Sequence, residues 1–222
     1  MTDTNALLSR IEKLEAEVRA LRDKDEITRI QYIYGYYIDN RMWDEMIALF
    51  TDNEPTFEIG RRGHYVGKDS IRRFLFDSMG EKRWGLEKNE IANHFQLQPV
   101  ITLGEDGKSA KCRARSFIQM SHLPHMDRLR WAEGIYENTF VKEADGWKLK
   151  SLWWAATFYA FIQTMGEFWF DSVPHDDGHP AEQPSRPIDE KLGRTWVRFH
   201  YPHPFTGEEV PSPSAKQDEW ES

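Results

Sequence analysis

The chain holds 222 residues, with 29 Lys and Arg against 37 Asp and Glu, for a formal net charge of -8. That length suits one well-buried core, or one domain with a long appendage, and is too short for two large domains. The acidic balance argues against a nucleic-acid partner, which would require clustered Lys and Arg to neutralise phosphate.

Hydrophobic residues make up 39% and aromatic residues 14%, with nine Trp. So many large flat side chains can fill a core, and they can also line a pocket for a ring-shaped ligand. The single cysteine, Cys112, permits no internal disulfide and suits a reducing cytoplasm. It lies in an alternating pattern, as a small core residue would. The N-terminus lacks a basic region followed by an apolar run, and no stretch approaches the ~18 apolar residues of a membrane span. The expectation is a soluble cytoplasmic protein.

Residues 5 to 29 set Leu7, Ile11, Leu14, Val18 and Leu21 at alternating intervals of four and three among Glu, Lys and Arg. The spacing predicts an N-terminal helix with a seam about two heptads long, enough to pack against a neighbour or brace the domain and short of an extended coiled coil. From Ile30 to Phe50 the apolar positions Ile30, Ile33, Tyr34, Tyr37, Met46, Ile47 and Phe50 recur at helical spacing. They predict two short helices, each pressing one face onto a core. Among these core-facing aromatics sits Asp39. A carboxylate turned toward an apolar interior is costly unless it is paired, hydrogen-bonded or used. Asp39-Asn40 also stands where the first helix should end and the helix holding Trp43 should begin, and both residue types favour caps. Capping and an active-site role stand side by side at this point.

After the turn cluster at Thr51 to Pro55, Thr56 to Ile59 and His64 to Val66 read as a short hairpin around Gly60-Arg61-Arg62-Gly63. Gly67 to Ser70 opens a helix with Ile71, Phe74 and Leu75 as its apolar stripe, and residues 79 to 92 read as a polar loop. Then come four long strands, His94 to Leu103, Ser109 to Ser121, Leu129 to Lys142 and Trp147 to Phe161, joined by Gly-rich turns and by a loop at His122 to Asp127. Short turns make consecutive strands antiparallel neighbours. The predicted fold class is α+β, a curved antiparallel sheet with helices on one face. Three segments are expected: an N-terminal helical extension over 1–22, an α+β domain over 23–164 and an extended tail over 165–222. The tail is rich in Pro yet carries Phe168, Trp169, Phe170, Trp196, Phe199, Tyr201 and Phe205, so part of it should wrap its own domain or a neighbouring subunit.

Several of these residues fall in a familiar order: Tyr34, Asp39 and Trp43, then Ala48-Leu49-Phe50-Thr51-Asp52, Gly67 before Ile71, Asn93-His94, Gly134-Ile135-Tyr136-Glu137 and Asp145-Gly146-Trp147-Lys148-Leu149. Over about residues 23 to 160 the chain resembles the SnoaL-like branch of the nuclear-transport-factor-2-like superfamily. The resemblance implies a cone-shaped α+β barrel enclosing a deep pocket. The family includes dehydratases, a dehydrochlorinase, polyketide cyclases, ketosteroid isomerases and non-catalytic subunits, so fold alone does not choose a function.

Eliminating members pair an Asp on the first helical segment with a His on the first long strand and place a Tyr or Lys five residues before that Asp. The matching positions are Asp39, His94 and Tyr34, which the resemblance implies as catalytic. His94 could remove a proton while Asp39 fixes its tautomer, with Tyr34 donating to a leaving hydroxyl or a developing oxyanion. Several eliminating relatives also carry an Arg shortly after the Trp of the Gly-Trp turn, where this chain reads Leu152-Trp153-Trp154. Replacement cations are Arg61 or Arg62 on the hairpin, or Arg113 and Arg115 on a strand. Glu137 stands where an Asp is common. The expected substrate-binding set is Tyr37, Arg61, Arg115, Phe57, Glu137 and Trp153.

Pairs of histidines at 122 and 125, 175 and 179, and 200 and 203 lie in Pro- and Asp-rich loops without a helix to fix their geometry, so no metal site is expected. No Gly-rich phosphate loop or nucleophile elbow occurs, and no cofactor is expected. The reading is a cofactor-independent lyase taking a small hydrophobic aromatic substrate. It would act by dehydration, with deformylating carbon-carbon cleavage through a quinone methide if the substrate is a lignin-derived diaryl diol. The alternatives are an isomerase or cyclase of steroid or polyketide type, or an accessory subunit of a ring-hydroxylating dioxygenase. The seam and the tail predict a homodimer or homotrimer with no nucleic-acid or membrane partner.

Overall fold

The computed structural model describes residues 2–121, 128–163, 189, 191 and 199–221. Helix α1 spans Thr2–Asp39 without a break. The expected N-terminal helix and the first of the two short helices are therefore one element, about 57 Å long at 1.5 Å per residue. Nothing between Leu21 and Ile30 stops it, since that stretch holds no Gly or Pro. It then meets Asn40-Arg41, where Arg41 turns left-handed at φ 49 and the Met42 amide closes back on the Tyr37 carbonyl at 2.9 Å. The short helix α2, Trp43–Ala48, follows and buries Trp43, Met46 and Ile47.

Strands β1, Thr56–Ile59, and β2, His64–Val66, form the expected hairpin. Helix α3, Lys68–Arg73, runs on into a π-helical turn, Phe74–Met79. The four long strands are β3, Ala92–Leu103; β4, Ser109–Met120; β5, Arg128–Glu143; and β6, Gly146–Gln163. They meander antiparallel, but the six-stranded order is β2-β1-β6-β5-β4-β3 and β1 lies parallel to β6. The sheet is thus mixed rather than wholly antiparallel. β3 stands at an edge, which accommodates Pro99 beside a bulge between Leu97 and Val100.

α1 from Ile27 onward lies across the sheet and closes the main core with Trp147, Trp154, Phe140 and Phe57. At Gly134, an added Cβ would stand 2.5 Å from the Trp154 ring, so the bare backbone of β5 is what lets that indole cross it. The same place carries a bulge, between Glu133 and Gly134, that shifts the facing of β6 beyond Trp154. Among the described residues, no helix is long and apolar enough to cross a membrane.

The described part of the tail packs on its own domain. Phe199 meets Tyr37 edge-on, and the His203 ring lies flat on Tyr37, 5.8 Å between centroids with planes 9° apart. Helix α4, Pro213–Glu221, brings Trp220 against Phe76 and Trp84, and the Gln217 side-chain oxygen accepts the Trp84 amide at 2.8 Å. Phe168, Trp169, Phe170 and Trp196, with the expected loop at 122–127, lie outside the described residues.

His203 is a buried imidazole held by backbone groups on both ring nitrogens. Its Nε2 donates to the Glu45 carbonyl at 3.1 Å, and its Nδ1 accepts the amides of Phe205 and Thr206, so the ring is held neutral. Burial pushes its pKa below the ordinary 6.5. The unfolded chain therefore takes up a proton first, and the contribution of this strap is full above that value and lost as pH falls below it. Between about pH 7 and about pH 5 the melting temperature should fall, and His203→Gln should flatten that fall. An unchanged slope in the variant would refute this role.

Candidate active site

The end of α1 is pressed onto the edge strand because Gly35 has no side chain. A Cβ there would stand 2.8 Å from Gln96 Cγ and 3.4 Å from the His94 carbonyl. One turn further on, Asp39 Oδ1 accepts the His94 backbone amide at 2.6 Å and the His94 Nδ1–H at 2.9 Å. Capping is not its role, because α2 has Met42 at its N-cap with no side-chain cap. With Nδ1 carrying the proton, Nε2 is left with its lone pair, as a general base requires.

A buried polar relay holds the strand behind this pair. Asn138 donates to Gln31 at 2.9 Å, Gln31 donates to Gln96 at 2.6 Å, and Gln96 donates to the His94 carbonyl at 2.9 Å. Tyr34 stands in the core with its hydroxyl 3.5 Å from that of Tyr136. Burial raises both phenols, Tyr136 to about 12 and Tyr34 well above its ordinary value.

His94 lines a cavity of about 540 Å³, a size that suits a small organic ligand. Ile118, Met120, Trp154 and Tyr159, with Tyr65 and Phe74, supply its apolar and aromatic lining. Arg41, Arg62 and Arg130 give it positive charge, with Glu81 as the carboxylate of the lining. A second hollow of about 450 Å³ reaches Asp39 and His94 across Tyr36 and Phe95. Among the described residues, no group of three or more His, Cys, Asp or Glu is placed to hold a metal ion.

A family model for the SnoaL-like domain matches residues 19–152, more than half of the chain. The chain belongs to the SnoaL-like domain family. Among solved structures, it is similar to a candidate scytalone dehydratase from Novosphingobium aromaticivorans, at 17% identity and TM-score 0.57, covering 71% of this chain and 99% of that one. It is similar to hexachlorocyclohexane dehydrochlorinase LinA-type3 from Novosphingobium barchaimii at 9% identity and TM-score 0.59, covering 70% and 99%. An NTF2-like protein with a cystatin-like fold, also from N. aromaticivorans, matches at 17% identity and TM-score 0.52, covering 65% and 88%. At these identities the likeness is one of fold, and the fold is NTF2-like.

Within this SnoaL-like frame the expected residues separate. Asp39 and His94 meet; Tyr34 lies behind them, bonded to Tyr136. Tyr37 and Phe57 are fully buried, Tyr37 under His203 and Phe57 between the rings of Phe50 and Phe74. Arg115 and Glu137 are on the opposite face of the sheet, where Arg115 pairs with Glu133 and Arg113 with Glu137. Arg61 and Trp153 border an adjoining hollow of about 570 Å³, and Trp153 is 44% exposed. His200 and His203 belong to the strap, and His122, His125, His175 and His179 lie outside the described residues.

Sequence reasoning missed Arg41, Arg130, Trp154 and Tyr159. Strict alternation from Trp154 would turn Phe158 inward, but the bulge in β6 pairs Phe158 with Glu133 and Tyr159 with the buried Ala132. Arg130 was readable from alternation with Ala132, whereas no local pattern marks Arg41.

Alanine is the better helix former by ~1 kcal/mol, yet Gly35→Ala should lower stability by about 1–3 kcal/mol through overpacking against Gln96. Calorimetry decides the sign, and a higher melting temperature in the variant would show that close approach is not what Gly35 provides.

Proposed function

We propose that this protein is a cofactor-independent lyase acting on a small aromatic substrate, with Asp39 and His94 as its proton-transfer pair. The observation that carries the reading is the 2.9 Å Asp39–His94 contact at the wall of a cavity lined by Trp154 and Tyr159. Similarity to a candidate scytalone dehydratase and to a dehydrochlorinase, both named for eliminations, supports the same class.

In the general step, His94 Nε2 takes a proton from the substrate carbon next to the one bearing the leaving hydroxyl. The C–H electrons form the double bond, and the proton is returned to the departing oxygen as water. Asp39 offsets the charge of the transient imidazolium and keeps the ring in one tautomer. Two phenols line the cavity; Tyr65 donates to the Arg62 carbonyl at 3.1 Å, and Tyr159 can bind the leaving oxygen. Tyr34, bonded to Tyr136, acts from behind as part of the frame.

The specific substrate we propose is a para-hydroxylated diaryl diol. Its phenol gives up a proton, the benzylic hydroxyl leaves as water and a quinone methide remains. His94 Nε2 then takes the terminal hydroxyl proton instead of a carbon-bound one, the carbon-carbon bond breaks to release formaldehyde, and its electrons restore the aromatic ring. The products are a stilbene, water and formaldehyde, with no oxidant or reductant consumed.

Purified protein with no added cofactor should generate stilbene absorbance from such diols. Asp39→Asn and His94→Ala should each lower the rate by about a hundredfold to ten-thousandfold, while Tyr34→Phe should cost about tenfold or less. A folded His94→Ala protein with the wild-type rate would exclude the mechanism. Turnover that conserves substrate mass would replace elimination by isomerisation.

A further inference from the structure

Arg41 occupies a position where a helix usually ends on Gly or Asn, at a left-handed φ of 49. Its side chain is 6% exposed and its Nη2 donates to Glu90 at 3.0 Å, the Glu90 side chain being fully buried. Glu90 is shared, because Arg83 also bonds it and the Glu87 amide donates to it at 2.8 Å. Among the described residues Arg41 Nη1 has no hydrogen-bond partner, yet Arg41 lines the cavity beside His94. A buried guanidinium N–H without an acceptor is costly, and a backbone held in a sparsely populated region commonly marks a functional site. The charges around the cavity agree, since Arg62 and Arg130 add to Arg41 while Glu81 sits within 3.6 Å of Arg83.

We propose that Arg41 forms an anion subsite, in which Glu90 orients the guanidinium and Nη1 receives an anionic oxygen carried on an aromatic ring, a carboxylate or a phenolate. This deepens the lyase reading and rests on the same cavity. Held there, a phenolate would be stabilised in the form that expels a para-benzylic hydroxyl.

The test is binding read by tryptophan fluorescence, with biphenyl-4-carboxylate, its carboxamide and 4-nitrophenol as probes. Wild type should bind the carboxylate about tenfold or more tightly than the amide, and in Arg41→Gln the two should converge to within about twofold. Arg41→Lys keeps a charge beside Glu90 and should fold even where Arg41→Gln does not, and it should lose most of the preference, since an ammonium lacks the planar fork. Retention of 4-nitrophenol as its yellow anion below its solution pKa would assign the phenolate, and its absence alongside carboxylate selectivity would assign the carboxylate. Equal affinity for carboxylate and amide in wild type, or a preference unchanged in a folded Arg41 variant, overturns the subsite. Because no turnover is read, carboxylate selection in a protein inactive on diaryl diols would sink the lyase reading alone.

The N-terminal half of α1 carries an independent proposal. Leu7, Ile11, Leu14, Val18 and Leu21 are 43–66% exposed along one stripe. In heptad terms Ile11 and Val18 are at a, and the three Leu at d, the combination that favours two parallel strands. The flanks are complementary in that register, because g-position Arg10 and Glu17 would face Glu15 and Arg22 of a second copy.

We infer that two copies of this chain pair in parallel through residues 7–22 of α1. Helix nucleation is already met, since α1 is continuous with the packed segment from Ile27. Ile11→Cys and Val18→Cys should each oxidise to a linked dimer, whereas Lys13→Cys on the outer face should not. The native Cys112 is fully buried and adds no background. Light scattering of the wild type should give a dimer mass. Failure of either a-position variant to link, or a monomer or trimer mass, overturns the pairing.

Discussion

One carboxylate oxygen ties this structure together where the long helix meets the edge strand. β3 is an edge strand, and its His94 amide would be left without a strand partner on the side facing α1. Asp39 Oδ1 takes that amide and the ring Nδ1–H together. The same contact therefore satisfies a backbone donor, anchors the last turn of a 38-residue helix and sets the imidazole tautomer. The helix end and the imidazole are thus located by the same interaction.

Behind that contact the interior is polar where orientation matters and aromatic where bulk matters. Gln31, Gln96 and Asn138 link α1 to two strands through a chain of hydrogen bonds, each worth little alone but expensive to leave unmet. Trp154 crosses the bare backbone at Gly134 and donates to Ser116 at 2.7 Å, so its ring is pinned at the cavity wall. The aromatic richness of the chain is divided between core, cavity and strap, and only a few rings face the space a ligand would fill.

Charge is sorted by face. On the outer side of the sheet, Arg113 and Arg115 are neutralised by Glu137 and Glu133. On the cavity side, the arginines come from places remote in sequence, Arg41 after the helix, Arg62 on the hairpin and Arg130 on β5. That division supports a ligand with an electron-rich or anionic end, and it supplies a cation that the Leu152-Trp153-Trp154 segment lacks.

Much of this was legible in order along the chain. Alternation and Gly turns bounded the four long strands to within two residues at each end, and the order of motifs from Tyr34 to Leu149 resembled the family. The continuity of α1 was open to reading, since no Gly or Pro interrupts residues 21–30, whereas the parallel placement of β1 on β6 and the inward turn of Tyr159 past a bulge were not, because each depends on what packs alongside. The same holds for Tyr37 and Phe57, which read as pocket residues and became core. Local periodicity determined which residues share a face of a helix or strand, since that follows from backbone geometry alone. Which face meets a cavity, a neighbouring strand or a buried carboxylate was decided by the tertiary structure, because burial and pairing are properties of segments far apart in the chain.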